Sequence, residues 1–103
     1  MNNLRRSLRQ FAFDRRWEQY HTPKNLSMAL AVEVAELLEI FQWMTDLESR
    51  SPSRATLNHI KDEIGDVQIY LTMIADKFGL CPVEMAKRKI EKNRLKYPID
   101  TSP

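Results

Sequence analysis

Cysteine and glycine are almost missing from this 103-residue chain. Cys81 is the only cysteine, which excludes an intrachain disulfide and a cysteine-ligated zinc site. Gly65 and Gly79 are the only glycines, so there is no Gly-rich phosphate loop and little of the turn chemistry that a sheet of short strands needs. The five prolines, at 23, 52, 82, 98 and 103, stand at apparent breaks or at the end. No apolar run approaches the ~20 residues of a membrane span, and the first residues lack the apolar stretch of a signal peptide. A cytoplasmic protein with no membrane partner is expected. The formal net charge of +2 is too small to indicate a nucleic-acid binder. Arg5, Arg6, Arg9, Arg15 and Arg16 therefore read as a solvated helix face.

What is present is ordinary for a globular protein, 43% hydrophobic and 29% charged. The chain is read as one domain over 1–103, with about 99–103 a flexible tail. Sparse punctuation and long periodic stretches predict an all-α fold of four helices. Helix one is expected from Asn3 to Tyr20. Helix two starts near Thr22-Pro23 or Asn25 and continues to Met44. A polar connection, Thr45 to Ser53, leads to helix three over Arg54 to Phe78, which Gly79 stops. Pro82 opens helix four, which ends before Pro98. Helix three is apolar around much of its circumference, Ile69 and Met73 lying away from the Ile64/Val67/Leu71 stripe, so more than one neighbour should bury it. Gly65 in its middle costs helix stability and is expected to permit a close approach.

Two acidic pairs stand where carboxylates are costly: Glu33-Val-Ala-Glu36 and Glu63-Ile-Gly-Asp66. Each pair is spaced i, i+3, one turn apart on one helix face. Projected at ~100° per residue, Glu33 falls inside the stripe Leu26, Leu30, Val34, Leu37, Phe41, Met44. Glu63 borders Ile60, Ile64, Val67 and Leu71, and Asp66 looks toward Tyr70 and Met73. One such pair would belong to a solvated edge matched with lysines such as Lys61 or Lys89. Two pairs on apolar faces of successive helices instead call for a cation, because an unpaired buried carboxylate costs several kcal/mol. All-carboxylate ligation favours Mg²⁺, or Mn²⁺, over iron or zinc. The Glu-x-x-His repeats of di-iron bundles are absent, and His59 precedes Glu63 by four residues instead. Glu39 extends the first row toward solvent, where it would reach a metal through water. Carboxylates with Mg²⁺ point to hydrolysis of a phosphate ester or anhydride.

Helix four supplies cations. Lys89 and Asn93 are i, i+4 neighbours and Lys96 stands about a turn further, a set of donors suited to phosphate oxygens or, more blandly, a basic helix end. Trp17, Tyr20, His21, Trp43 and Tyr70 are core or boundary aromatics by default, one or two of which suit stacking on a base.

At these residues the chain resembles a known family. The run from His21-Thr-Pro-Lys-Asn25 through Glu33-Val-Ala-Glu36-Leu-Leu-Glu39 to Phe41-Gln42-Trp43 is similar to the MazG-like all-α nucleoside triphosphate pyrophosphohydrolases, nearest to their dCTP pyrophosphatase branch. The blocks Asp62-Glu63-Ile-Gly-Asp66-Val-Gln-Ile-Tyr70 and Lys89-Ile-Glu-Lys-Asn93-Arg-Leu-Lys96-Tyr97-Pro98 follow in family order. The resemblance implies Glu33, Glu36, Glu63 and Asp66 as Mg²⁺ ligands. It implies Lys89, Asn93 and Tyr97 around phosphates and sugar, and Trp17, His21, Asn25, Trp43 and Tyr70 near the nucleoside. Lys96 stands where the family commonly has Arg, keeping the charge without the bidentate fork.

The expectation is thus a four-helix, oligomerising domain, a homodimer or homotetramer, that hydrolyses a nucleoside triphosphate to the monophosphate and pyrophosphate. The expected substrate is dCTP or another dNTP, with Glu36 or Glu39 as orienting base. A phosphoribosyl-ATP pyrophosphohydrolase and a catalytically silent helical binding module are the competing readings. Intact acids argue against the second, since a scaffold gains nothing from buried carboxylates.

Overall fold

In the computed structural model, residues 2–100 are described, and every regular element among them is helical. The α-helices are α1 (Asn2–Asp14), α2 (Pro23–Phe41), α3 (Asp46–Ser49), α4 (Arg54–Asp76) and α5 (Pro82–Lys96), with one 3₁₀ turn at Glu18–Tyr20. No helix among the described residues is long and apolar enough to cross a membrane. Of the expected tail, Ile99 and Asp100 are irregular and exposed, and 101–103 lie outside the described residues.

Local chemistry accounts for most of the boundaries. Thr22 caps α2, its Oγ1 accepting from the Asn25 N–H at 3.1 Å, with Pro23 in the first turn. Ser53 does the same for α4 through the Thr56 N–H. Gly79, at φ 66°, closes the end of α4: Leu80 N–H bonds to Ala75 O and Gly79 N–H to Asp76 O, the paired pattern of a left-handed helix terminus.

Two boundaries differ from the sequence expectation. Helix one does not run to Tyr20. Arg16 adopts φ 57° and the same paired pattern recurs without glycine, Trp17 N–H bonding to Ala12 O and Arg16 N–H to Phe13 O. The connection after α2 is not wholly irregular either. Thr45 and Glu48 form a reciprocal capping box that nucleates the single-turn α3, so the signal Thr-x-x-Glu was present in the sequence.

Helices α2 and α4 form the principal contact, with α1 packing on α4 and α5 touching α4 only sparsely. The basic cluster on α1 is more than a solvated face. Arg9 donates through Nε to Asp76 Oδ2 at 2.7 Å and through Nη2 to Oδ1, and Arg5 Nε lies 3.5 Å from the same carboxylate. Hydrogen bonding to Arg9 holds the Asp76 carboxyl below its ordinary 3.8. Because the folded value is depressed, the pair's contribution is complete above that range and fades as pH falls through the folded value. Asp76→Asn should therefore modestly lower Tm at pH 7 and leave little difference from the parent protein in acid. It should also speed amide exchange along α1. Unchanged exchange would show that apolar packing alone docks α1.

The expected close approach at Gly65 is not made within the protomer, where a Cβ would meet nothing within 4 Å. Gly65→Ala should stabilise α4 by about 1 kcal/mol, seen as a higher Tm. A lower Tm would place another chain against this position.

The protomer encloses little. Among the described residues the fully buried apolar side chains are those of Ala12 and Leu26, joined by the polar Glu63 and Thr72. The radius of gyration is 17.4 Å, against about 13 Å for a compact domain of this length. Leu57, Ile64 and Leu71, spaced by seven along α4, and Phe78 just past its end all stand exposed, as do Val34 and Leu38 on α2. A seven-residue apolar stripe is the pattern of a helix seam awaiting a partner.

Candidate active site

The inward faces of α2 and α4 carry the acids. On α2, Leu26 is buried and Leu30, Glu33, Leu37 and Ile40 are half-buried, whereas Val34 turns outward. On α4, Ile60, Asp66, Val67 and Tyr70 are half-buried around the buried Glu63, and Ile64 turns outward. The acids thus occupy the helix–helix seam, and two residues of the apolar stripes face solvent in their place. This arrangement follows from the α2–α4 packing, the principal helix contact of the protomer.

Glu33, Glu36 and Glu63 each bring a carboxylate oxygen within 4.8 Å of the others. Glu33 Oε2 and Glu63 Oε2 are buried without a hydrogen-bond partner. The Glu33 carboxyl is pushed up to about 7, first by desolvation, then by the adjoining Glu36 and Glu63 carboxyls and the charge of Asp66. Orphaned buried oxygens among converging like charges are the surroundings a divalent cation satisfies, and the donor set is all oxygen. Asp66 lies near enough to act on Glu33 but is not one of the three converging carboxylates. Glu39 is exposed, outside the cluster.

The residues assigned to the nucleoside divide between two ends of the seam. Trp17 packs edge-on against Phe11 at 5.5 Å and faces His21 at 6.3 Å between centroids, and the Arg15 guanidinium lies 3.4 Å over the Phe11 ring. His21 lines a cleft of about 750 Å³ between α1 and α4, beside Phe13, Thr72, Met73 and Lys77. Desolvation, then the charge of Lys77, lowers the His21 imidazole from its ordinary 6.5 and favours its neutral form. Asn25 Nδ2 donates to Tyr20 O at 3.0 Å and ties the 3₁₀ turn to α2. Trp43, 90% exposed, stands past the other end of α2. At about 1.5 Å per residue it lies roughly 27 Å from Asn25, more than one nucleoside spans.

Among the described residues the ion pairs of α5 stay within the helix, Lys87 with Glu84 and Arg94 with Glu91, and none joins it to the four acids. Asn93 is half-buried, while Lys89, Lys96 and Tyr97 are exposed. The Lys96 ammonium sits 5.3 Å from the ring of Tyr97. Among the ion pairs of the described residues, the one that reaches the four acids comes from His59, to Glu63. From the sequence alone His59 has no assigned role. Its i, i+4 spacing to Glu63 was the signal.

The MazG-like family matches residues 28–102 of the chain. The likeness to curated relatives covers nearly all of this chain: dCTP pyrophosphatase 1 of Rattus norvegicus is 39% identical over 110 residues, covering 99% of this chain, and that of Homo sapiens 42% identical over 106 residues, covering 95%. The chain spans only 61% and 59% of those two relatives. A solved pyrophosphatase from Archaeoglobus fulgidus DSM 4304 superposes with a TM-score of 0.83 at 44% identity, over 96% of this chain and 93% of that one.

Proposed function

The chain belongs to the MazG-like family, and from that premise we propose that it is a Mg²⁺-dependent nucleoside triphosphate pyrophosphohydrolase. It would convert a (d)NTP, dCTP first, to the monophosphate and pyrophosphate as cytoplasmic nucleotide-pool housekeeping. The observation that carries the reading is the seam of converging acids with two orphaned buried oxygens. Its likeness to proteins named dCTP pyrophosphatase 1 supports the substrate class.

In this reading Glu33, Glu36 and Glu63 hold the cation, with Asp66 beside them. Bound Mg²⁺, or Mn²⁺, would supply neutralisation of the triphosphate and a more acidic water. Glu36 or Glu39 orients the attacking water and takes its proton as it adds to the α-phosphorus. Lys89, Lys96, Asn93 and Tyr97 hold the phosphates and sugar. Trp17, His21, Asn25 and Tyr70 face the nucleoside at one end of the seam, and Trp43 at the other. The separation of Trp43 from His21, and the lack of an ion pair between α5 and the acids among the described residues, support a site completed between protomers in a homodimer or homotetramer.

Product analysis over a panel of (d)NTPs with Mg²⁺ tests the proposal. The expected products are monophosphate and pyrophosphate, with kcat/KM highest for dCTP. Rejection of the ribonucleotide should be only ~10²-fold, because one extra hydroxyl in a tight pocket discriminates no further. Release of orthophosphate and a diphosphate would overturn the reaction. A kcat/KM for ATP or GTP above that of every deoxynucleotide would overturn the substrate and leave the reaction standing.

A further inference from the structure

His59 is the group near the seam that the proposed chemistry leaves unused. It stands one turn before Glu63 on α4, its Nε2 3.5 Å from Glu63 Oε1. The imidazole is 59% exposed and the Glu63 side chain 10%. Glu63 Oε2, the other oxygen of the same carboxylate, is buried without a partner. One carboxylate therefore has two unlike oxygens, one beside an exposed imidazole and the other buried without a partner, on a side chain that converges with Glu33 and Glu36. A glutamate's terminal torsion is broad, so nothing intrinsic to the side chain keeps that orientation.

We propose that His59 is a positioning residue: its Nε2–H holds Glu63 Oε1 at the rim and so keeps Glu63 Oε2 aimed among Glu33 and Glu36, where a divalent cation would bind. The inference rests on the metal reading above. At 3.5 Å the contact is longer than a formed N–H···O bond, and i, i+4 neighbours close such a gap by side-chain torsions alone. His59 is not among the converging donors, which are the carboxylates of Glu33, Glu36 and Glu63. Carboxylates that bind metals are held by hydrogen bonds of this kind, and losing one typically costs 10–100-fold in metal affinity. An ordinary exposed i, i+4 pair would instead change helix stability slightly and metal affinity not at all.

The test titrates Mn²⁺ alone into the metal-free protein by calorimetry, for the parent chain, His59→Ala, His59→Gln and Glu63→Gln, with helicity followed by circular dichroism. His59→Ala should weaken Mn²⁺ binding about 10–100-fold at unchanged helicity. His59→Gln, which keeps an N–H donor, should recover most of it. Binding by His59→Ala within about twofold of the parent, while Glu63→Gln loses it, would overturn this inference and leave the metal reading intact. A parent protein that binds no Mn²⁺ would overturn both.

Discussion

Glu63→Gln, and separately Glu36→Gln, should abolish nucleotide turnover while leaving the helices folded. Each change removes one of three carboxylates whose oxygens lie within 4.8 Å of one another. Gln keeps the shape and one oxygen but loses the charge that holds a hard cation. The apoprotein should not suffer, because the change relieves like-charge repulsion. The sign of the pH dependence provides an independent check. Glu33 titrates at about 7 in the folded protein against an ordinary 4.5. Its folded value is raised, so the unfolded chain ionises first and metal-free stability falls as pH rises from about 4.5 through about 7. Saturating Mg²⁺, by holding the ionised form, should flatten that profile. Full activity in either glutamine variant would remove that residue from the site. A metal-free Tm that rises with pH across this window would show that the acids do not repel one another.

The second large effect concerns assembly. Sedimentation equilibrium at micromolar concentration should show a multiple of the 12.2 kDa chain and no protomer. Leu57, Ile64 and Leu71 on α4, with Phe78 just past it, form an exposed apolar line while the protomer buries almost no apolar side chain among the described residues. Covering a side chain of this size contributes about 1.5–3 kcal/mol, and symmetry makes each contact twice. Ile64→Asp places a charge in the middle of that line without touching the acid seam. It should yield protomer or unfolded chain, with turnover lost in proportion, since in the proposed reading the site is completed between protomers. A species of only ~12 kDa from the parent chain, with full activity, would contradict both the assembly and the composite site.

The acid pairs were legible because i, i+3 spacing on a helix is a local property: Glu33 with Glu36, and Glu63 with Asp66, share a face wherever the helices go. The starts of α2, α4 and α5 were legible for the same reason, Thr22-Pro23, Ser53 and Pro82 acting on the turn beside them. Thr45 and Glu48 were equally local and were passed over among polar neighbours. Arg16 was not legible. Nothing in an arginine announces a left-handed conformation, and the break there accompanies the docking of α1, through Arg5 and Arg9, on Asp76, 67 residues away from Arg9.

Which residues actually meet was decided by the pairing of α2 with α4. The sequence by itself determined an all-helical chain, its acid-bearing faces and its family likeness, all of which follow from periodicity and short spacings. Only the tertiary structure decided that Glu33, Glu36 and Glu63 converge while Asp66 stands beside them, that Ile64 and Val34 turn outward, and that His59 faces one oxygen of Glu63. Those outcomes depend on the register and rotation of one helix against another. Non-local packing sets them, and no residue's own propensity encodes it.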